Sequence, residues 1–127
     1  MRNIKISAIT ILFSTLLYYL HKLALDNHLY MQFWFYDIMM HFLGGVCVAL
    51  LLYCMAVFFN CRFLLNKLSQ IIILTFIIGV FWELFEVYYK IAGHPLNSWA
   101  YKLDTTKDLI MDTLGSVLVW IIVKNKK

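Results

Sequence analysis

Seven ionisable side chains recur at helical spacing in a chain that carries few charges. Asp37 and His41 are four residues apart, Glu83 and Glu86 are three apart, and Asp104, Asp108 and Asp112 are each four apart. Residues at these separations share one face of a helix, so three helices would each present a polar stripe. Around one imidazole, His41, the stripes would gather five carboxylates: Asp37, Glu83, Glu86, Asp108 and Asp112. Five such groups, stripped of water and crowded together, cannot all stay ionised without a cation. The candidate acid–base or cation site is therefore Asp37, His41, Glu83, Glu86, Asp108 and Asp112. Within it, His41, Glu83, Glu86, Asp108 and Asp112 are the candidate metal ligands. Carboxylates with one His suit harder ions such as Mg, Mn or Fe(II), and facing helices commonly build metal sites from such groups. The same residue types also serve as proton donors and acceptors.

Each piece also has a plainer role. Asp37 could be the N-cap of its helix, and Thr105 with Asp108 has the spacing of a capping box. Glu86 could pair with Lys90 one turn later, and Lys102 and Lys107 could neutralise two acids with no metal. A lone His41 could be a hydrogen-bonded interior histidine. Capping does not account for Glu83, Glu86 or Asp112, which sit too deep. A bound cation and a proton-sharing or salt-bridged network both stay open.

The elements that must position these residues are set by composition. Of 127 residues, 63% are hydrophobic and 14% charged, whereas a soluble domain carries about 25% charged residues. Too little polar surface is available to cover a water-facing fold. The three cysteines and single proline make no disulfide scaffold. The net charge of +4 comes from scattered basic residues rather than from one basic face, which excludes a nucleic-acid binder. No Ser-His-Asp order, Walker loop, CxxC pair or HExxH occurs. The composition is that of an integral membrane protein.

A spanning helix needs about 20 mostly apolar residues. Four stretches fit, at about 4–25, 38–59, 70–91 and 106–123, and they predict an all-α, single-domain bundle of four transmembrane helices over 1–127. The first follows Arg2 and Lys5 as a signal peptide would, but it lacks a small-x-small cleavage site and reads as a retained helix. Asn27–Tyr36 is too short to span and is expected in the interface, and Ala92–Leu103, with Gly93 and Pro95, as a turn-rich loop. With the N-terminus inside, inner segments hold Arg2, Lys5, Arg62, Lys67, Lys124, Lys126 and Lys127 and no acid. Outer parts hold Lys22, Lys90, Lys102 and Lys107 with all seven acids, Asp26 among them. Seven basic residues against four put both termini in the cytoplasm. Tyr18, Tyr19, Trp34, Tyr36, Tyr88, Tyr89, Trp99 and Tyr101 then fall at the outer interface. Cys47, Cys54 and Cys61 recur every seven residues and read as small packing thiols. Gly44, Gly45 and Ala49, with Gly115 and Ser116, read as places where helices approach closely.

The ordered motifs resemble a known family. Tyr36-Asp37 through His41-Phe42-Leu43-Gly44-Gly45 is followed by Trp82-Glu83-x-x-Glu86, then Asp104-Thr105-x-x-Asp108-Leu109 and Asp112-x-x-Gly115. Over about residues 36–116 this pattern resembles the YjdF-type bacterial inner-membrane proteins of unknown function. It is similar, more loosely, to the VanZ-like family linked to glycopeptide (teicoplanin) resistance. VanZ-like chains tend to carry Glu-x-x-Gln on the third helix and an Asn near the fourth. Glu86 and Asp112 stand in those places here, which favours the YjdF-type reading. The resemblance implies a multi-pass protein of the bacterial inner membrane and brings no reaction with it.

Three functions compete. The acids could serve a cation-dependent enzyme or binding protein that takes an envelope lipid or amphiphile from the outer leaflet. They could belong to an ion-binding or transport component, although the inner halves offer only Ser7, Thr10, Ser14, Ser69, Gln70 and Thr75 as polar stepping points. Or they could stabilise a non-catalytic membrane subunit. Membrane lipids are the expected partners, a homo-oligomer is compatible with the sequence, and nucleic acid is not expected.

Overall fold

A computed structural model describes residues 2–61, 65–89 and 94–124, without the side chains of Arg2 and Asn3. Arg62, Lys90, Gly93, Lys126 and Lys127 lie outside the described residues, as does the expected Glu86–Lys90 pair. The described residues form five helices and no strand: α1 (Arg2–Asp26), α2 (Leu29–Gln32), α3 (Trp34–Phe58), α4 (Leu68–Tyr88) and α5 (Trp99–Lys124).

Three of them, Ile4–Asp26, Trp34–Phe58 and Leu68–Tyr88, are long and apolar enough to cross a membrane. The long helix α5 does not qualify on the same terms, because Lys102, Asp104, Lys107, Asp108 and Asp112 crowd its first half. The large apolar side chains exposed on the helices, such as Ile11, Leu12, Ile73, Phe81 and Ile121, form a surface suited to lipid.

Two helix starts depart from the sequence reading. The fourth long helix begins at Trp99 rather than near Thr106, so the loop ends at Ser98. The Ser98 hydroxyl accepts the Tyr101 N–H at 3.1 Å, the bond by which a serine caps a first helical turn. Thr105 therefore sits inside the helix and caps nothing. The second long helix begins at Trp34 rather than Ile38, after one extended residue, Phe33. Asp37 lies in its first turn and is no N-cap, although a negative charge there still favours the helix dipole. The stretch expected in the interface contains α2, which follows His28 in the left-handed conformation. Tyr36 also departs from the expected aromatic belt: it is buried and donates its hydroxyl to the Leu20 carbonyl at 3.1 Å. Tyr18, Tyr19, Trp34, Tyr88, Tyr89 and Trp99 are exposed.

Helix α5 packs against both α3 and α4, while α1 rests on α2 and α3. Glycines set the closest approaches. A Cβ on Gly45 would collide with the Asp112 carbonyl, and one on Gly115 with the Phe42 carbonyl. The reciprocal pair lets the backbones of α3 and α5 touch, as small residues do where helices meet in lipid. Cys47 and Cys54 are free thiols in contact with the hydroxyls of Ser14 (3.2 Å) and Ser7 (3.3 Å), joining α1 to α3. Ala49, Ala56, Leu65, Ile71 and Val119 form an apolar core at one end of the bundle. The polar stripes lie toward the other.

Candidate functional site

Three helices bring the site together around His41, which is buried on α3. Its Nδ1 faces Asp112 Oδ1 of α5 at 3.4 Å. Its Nε2 faces Asp108 Oδ2 of α5 at 3.8 Å and Asp37 Oδ1, one turn back on α3, at 3.9 Å. The last two separations are ion-pair distances, too long for direct hydrogen bonds. The four-residue spacing on each helix and the Gly45–Gly115 crossing explain the meeting: both stripes face the seam where the backbones are closest. Asp37, His41 and Asp108 each offer one ligand atom, and these atoms lie within 4.8 Å of one another. Asp108 and Asp112 are buried with His41, and one Asp108 oxygen, Oδ1, is buried without a hydrogen-bond partner.

Helix α4 contributes differently. Glu83 is buried and accepts the Thr105 hydroxyl on α5 at 2.8 Å through Oε2, while its Oε1 is buried and unpartnered. Glu86 is half-buried and accepts the Trp82 indole N–H of its own helix at 2.9 Å. Of the six candidate residues, Asp37, Asp108 and Asp112 face His41 directly, Glu83 bonds across to α5, and Glu86 bonds within its own helix. Lys107 is held by Asp104 at 2.8 Å, and Lys102 is exposed. Lys107 thus neutralises Asp104 of the α5 stripe, and its charge also reaches Asp108 and Asp37.

Two participants carry no chemical signature in the sequence. Gly79 leaves a gap into which a carboxyl oxygen of Asp112 projects: a Cβ there would lie 2.9 Å from Asp112 Oδ2. The signal was its position four residues before Glu83, on the same face. Tyr30 of α2 bonds His21 Nδ1 at 2.8 Å and packs edge-on against Tyr36. Burial, and then the nearby charge of Asp37, raise its phenol above the ordinary value.

Beside the site, Phe76, Thr106, Leu109, Ile110, Thr113 and Leu114 line an open groove of about 400 Å³ between α4 and α5. Thr106 and Thr113 donate their hydroxyls to their own helix, to the Lys102 and Leu109 carbonyls. The groove lining is thus effectively apolar. It flanks the carboxylates rather than covering them, with Leu109 reaching toward Gly79 between the two.

Apolar helices of spanning length, an exposed apolar surface and a buried His/Asp cluster define a polytopic helical membrane protein. Comparison with known families agrees. Residues 1–126 match the family described as predicted membrane protein (DUF2238), and the chain belongs to that family. This is the YjdF family, in keeping with that resemblance, whereas the looser likeness to VanZ-like chains is not shown. No curated protein and no solved structure matches the chain.

Proposed function

We propose that the chain is a cation-binding protein of the bacterial inner membrane whose site handles the polar group of an envelope lipid or amphiphile. The observation that supports this best is the trio Asp37, His41 and Asp108, with ligand atoms within 4.8 Å of one another, beside a buried carboxylate oxygen that nothing satisfies. A buried, unpaired charged oxygen is costly, and a divalent cation such as Mg, Mn or Fe(II) would satisfy it while drawing the long His41 contacts together. Asp112 holds the other face of the imidazole, the usual way a carboxylate orients a ligating histidine. The apolar groove between α4 and α5 supports the amphiphile: it offers a place for a hydrocarbon chain one helix face away from the carboxylates. Cation-assisted catalysis and simple binding both fit this geometry.

The test is metal content and metal-dependent melting of the purified protein in detergent. At a cation concentration about 100 times the Kd, binding adds about 2.7 kcal/mol to the folded state. Asp108→Asn should lose most of that gain while melting normally without metal. Wild-type protein that holds no metal and gains no stability from Mg, Mn, Fe(II), Ca or Zn would sink the cation reading.

A specific observation favours a second reading. Both ring nitrogens of His41 face carboxylates, so an imidazolium could serve as the internal cation of a structural or proton-sharing network. In that case Asp108→Asn removes a partner of His41 and lowers melting whether or not metal is added.

Four spans with both termini in the cytoplasm complete the proposal, supported by the acid-free inner segments. Asn97→Cys should then react with an impermeant thiol reagent from outside, and Asn125→Cys should not. The reverse labelling would place the site on the cytoplasmic side.

A further inference from the structure

Helix α5 carries two rows of residues at four-residue spacing, offset from each other by two positions. Asp104, Asp108 and Asp112 form one row, and Lys102, Thr106, Ile110 and Leu114 form the other. An offset of two residues is about 200° around an α-helix, so the rows lie on nearly opposite faces. The acidic row turns inward, where Asp108 and Asp112 are buried against His41. The second row turns outward, and its Thr106, Ile110 and Leu114 line the open groove between α4 and α5.

No carboxylate lines that groove, and Lys102 stands one turn beyond its Thr106 end. Thr106 marks the step by donating its hydroxyl to the Lys102 carbonyl at 2.7 Å. Lys102 is exposed. Its ammonium has no ion-pair partner among the described residues, whereas Lys22 and Lys107 are held by Asp26 and Asp104. Trp99, seven residues before Thr106 and so on the same side of the helix, is 77% exposed. Tyr88 and Tyr89 are exposed at the same end of the bundle, the setting of aromatic side chains at a membrane interface. Thr106 to Leu114 spans about 12 Å of helix. The groove is therefore an apolar channel that ends, at the interface, in an unpaired cation.

We propose that this face of α5 is a lipid site, in which an acyl chain of an anionic phospholipid lies in the groove and its phosphate sits at Lys102 Nζ. The inference rests on the amphiphile part of the reading above and gives that amphiphile its charge. Charge complementarity chooses the occupant. A hydrocarbon chain alone would be held only by packing, since lipid tails are as apolar as the lining. The lysine supplies what tells one lipid from another. Its ammonium binds phosphate as a point charge, and its long stem lies along apolar surface while the charged head reaches the interface. The opposite face of α5 could not take the same group, because Asp37, Asp108 and Asp112 would repel it. On the topology proposed above, the lipid belongs to the outer leaflet.

The test mixes the full chain in detergent with equal amounts of phosphatidylglycerol and phosphatidylcholine of one chain length. Native mass spectrometry then counts each lipid retained and reads the oligomeric state. Wild type should retain phosphatidylglycerol about fivefold over phosphatidylcholine, the ratio that one lysine near an anionic lipid supplies. Lys102→Gln should erase the preference while both lipids are still held, and Lys22→Gln, at the same end but paired on α1, should keep it. Ile110→Trp fills the groove from an exposed position and should lower retention of both lipids. Retention blocked by Ile110→Trp but without a headgroup preference, or with one that survives Lys102→Gln, overturns the anionic site and leaves a groove for an uncharged amphiphile. Preference lost equally in Lys22→Gln overturns the assignment to Lys102. Retention indifferent to Ile110→Trp, or no lipid retained by wild type, overturns the groove and the amphiphile reading together. So does a wild-type dimer that Ile110→Trp dissociates, because a second copy of the chain would then fill the groove. The cation at His41 is untouched by these outcomes and stands or falls on metal-dependent melting.

Discussion

The two ends of the α3–α4–α5 bundle use the same helices and close contacts in opposite ways. At the apolar end, Ala49, Ile71 and Val119 fill the seam with nothing left to satisfy. At the polar end, His41, Glu83, Asp108 and Asp112 are equally buried, yet their closest ion-pair contacts run from 3.4 to 3.8 Å, and two carboxylate oxygens lack partners. In lipid, apolar helices gain little from leaving their solvent, so packing and polar contacts hold them together. The apolar end is complete by packing alone. The polar end is packed just as closely by its glycines while its charges remain incompletely paired, which is the pattern of a site built for something other than stability.

That contrast can be broken most forcefully at the crossing both ends depend on. Gly45→Val places a branched side chain against the Asp112 backbone, which cannot move aside as a side chain would. The expected loss is at or above the upper end of the about 1–3 kcal/mol typical of overpacking, read as lost folded protein in thermal unfolding in detergent. A normal melting curve would mean that α3 and α5 are not held backbone to backbone.

A finer test compares neighbours one turn apart on α4. Ile71→Val deletes a buried methylene from the apolar end and should cost about 0.5–1.5 kcal/mol, equally with and without metal. Thr75 is buried with an unpartnered hydroxyl at the border of the two ends. Thr75→Val keeps the shape and removes the orphan group, so it should be neutral or slightly stabilising. Destabilisation by Thr75→Val that appears only in metal-loaded protein would extend the polar end one turn further along α4.

Much of the arrangement is legible in the residues. The apolar stretches yield the four long helices to within a few residues at most ends. The two missed starts, Trp34 and Trp99, lie in aromatic segments whose polar neighbours dilute the hydropathy signal, and the effective cap, Ser98, precedes residues that read as loop. The four-residue spacing of Asp37 with His41 and of Asp108 with Asp112 identifies faces that do meet. Glu83 and Glu86, though three apart, take different hydrogen-bond partners, Thr105 across the seam and Trp82 on the same helix. Three residues apart on a helix still leaves a substantial angle between side chains, and Trp82 offers Glu86 a donor on its own helix.

The sequence by itself determined that this is a membrane protein of long apolar helices, because composition decides which solvent a surface can face. It also determined which residues share a helix face, because helical periodicity is local. The tertiary structure alone decided that α5 packs on both α3 and α4, that Asp112 divides its oxygens between the two sides, and that Gly79 serves as a gap rather than a turn. These follow from how closely backbones approach across a seam, and contacts between residues tens of positions apart in the chain leave no periodic trace along it.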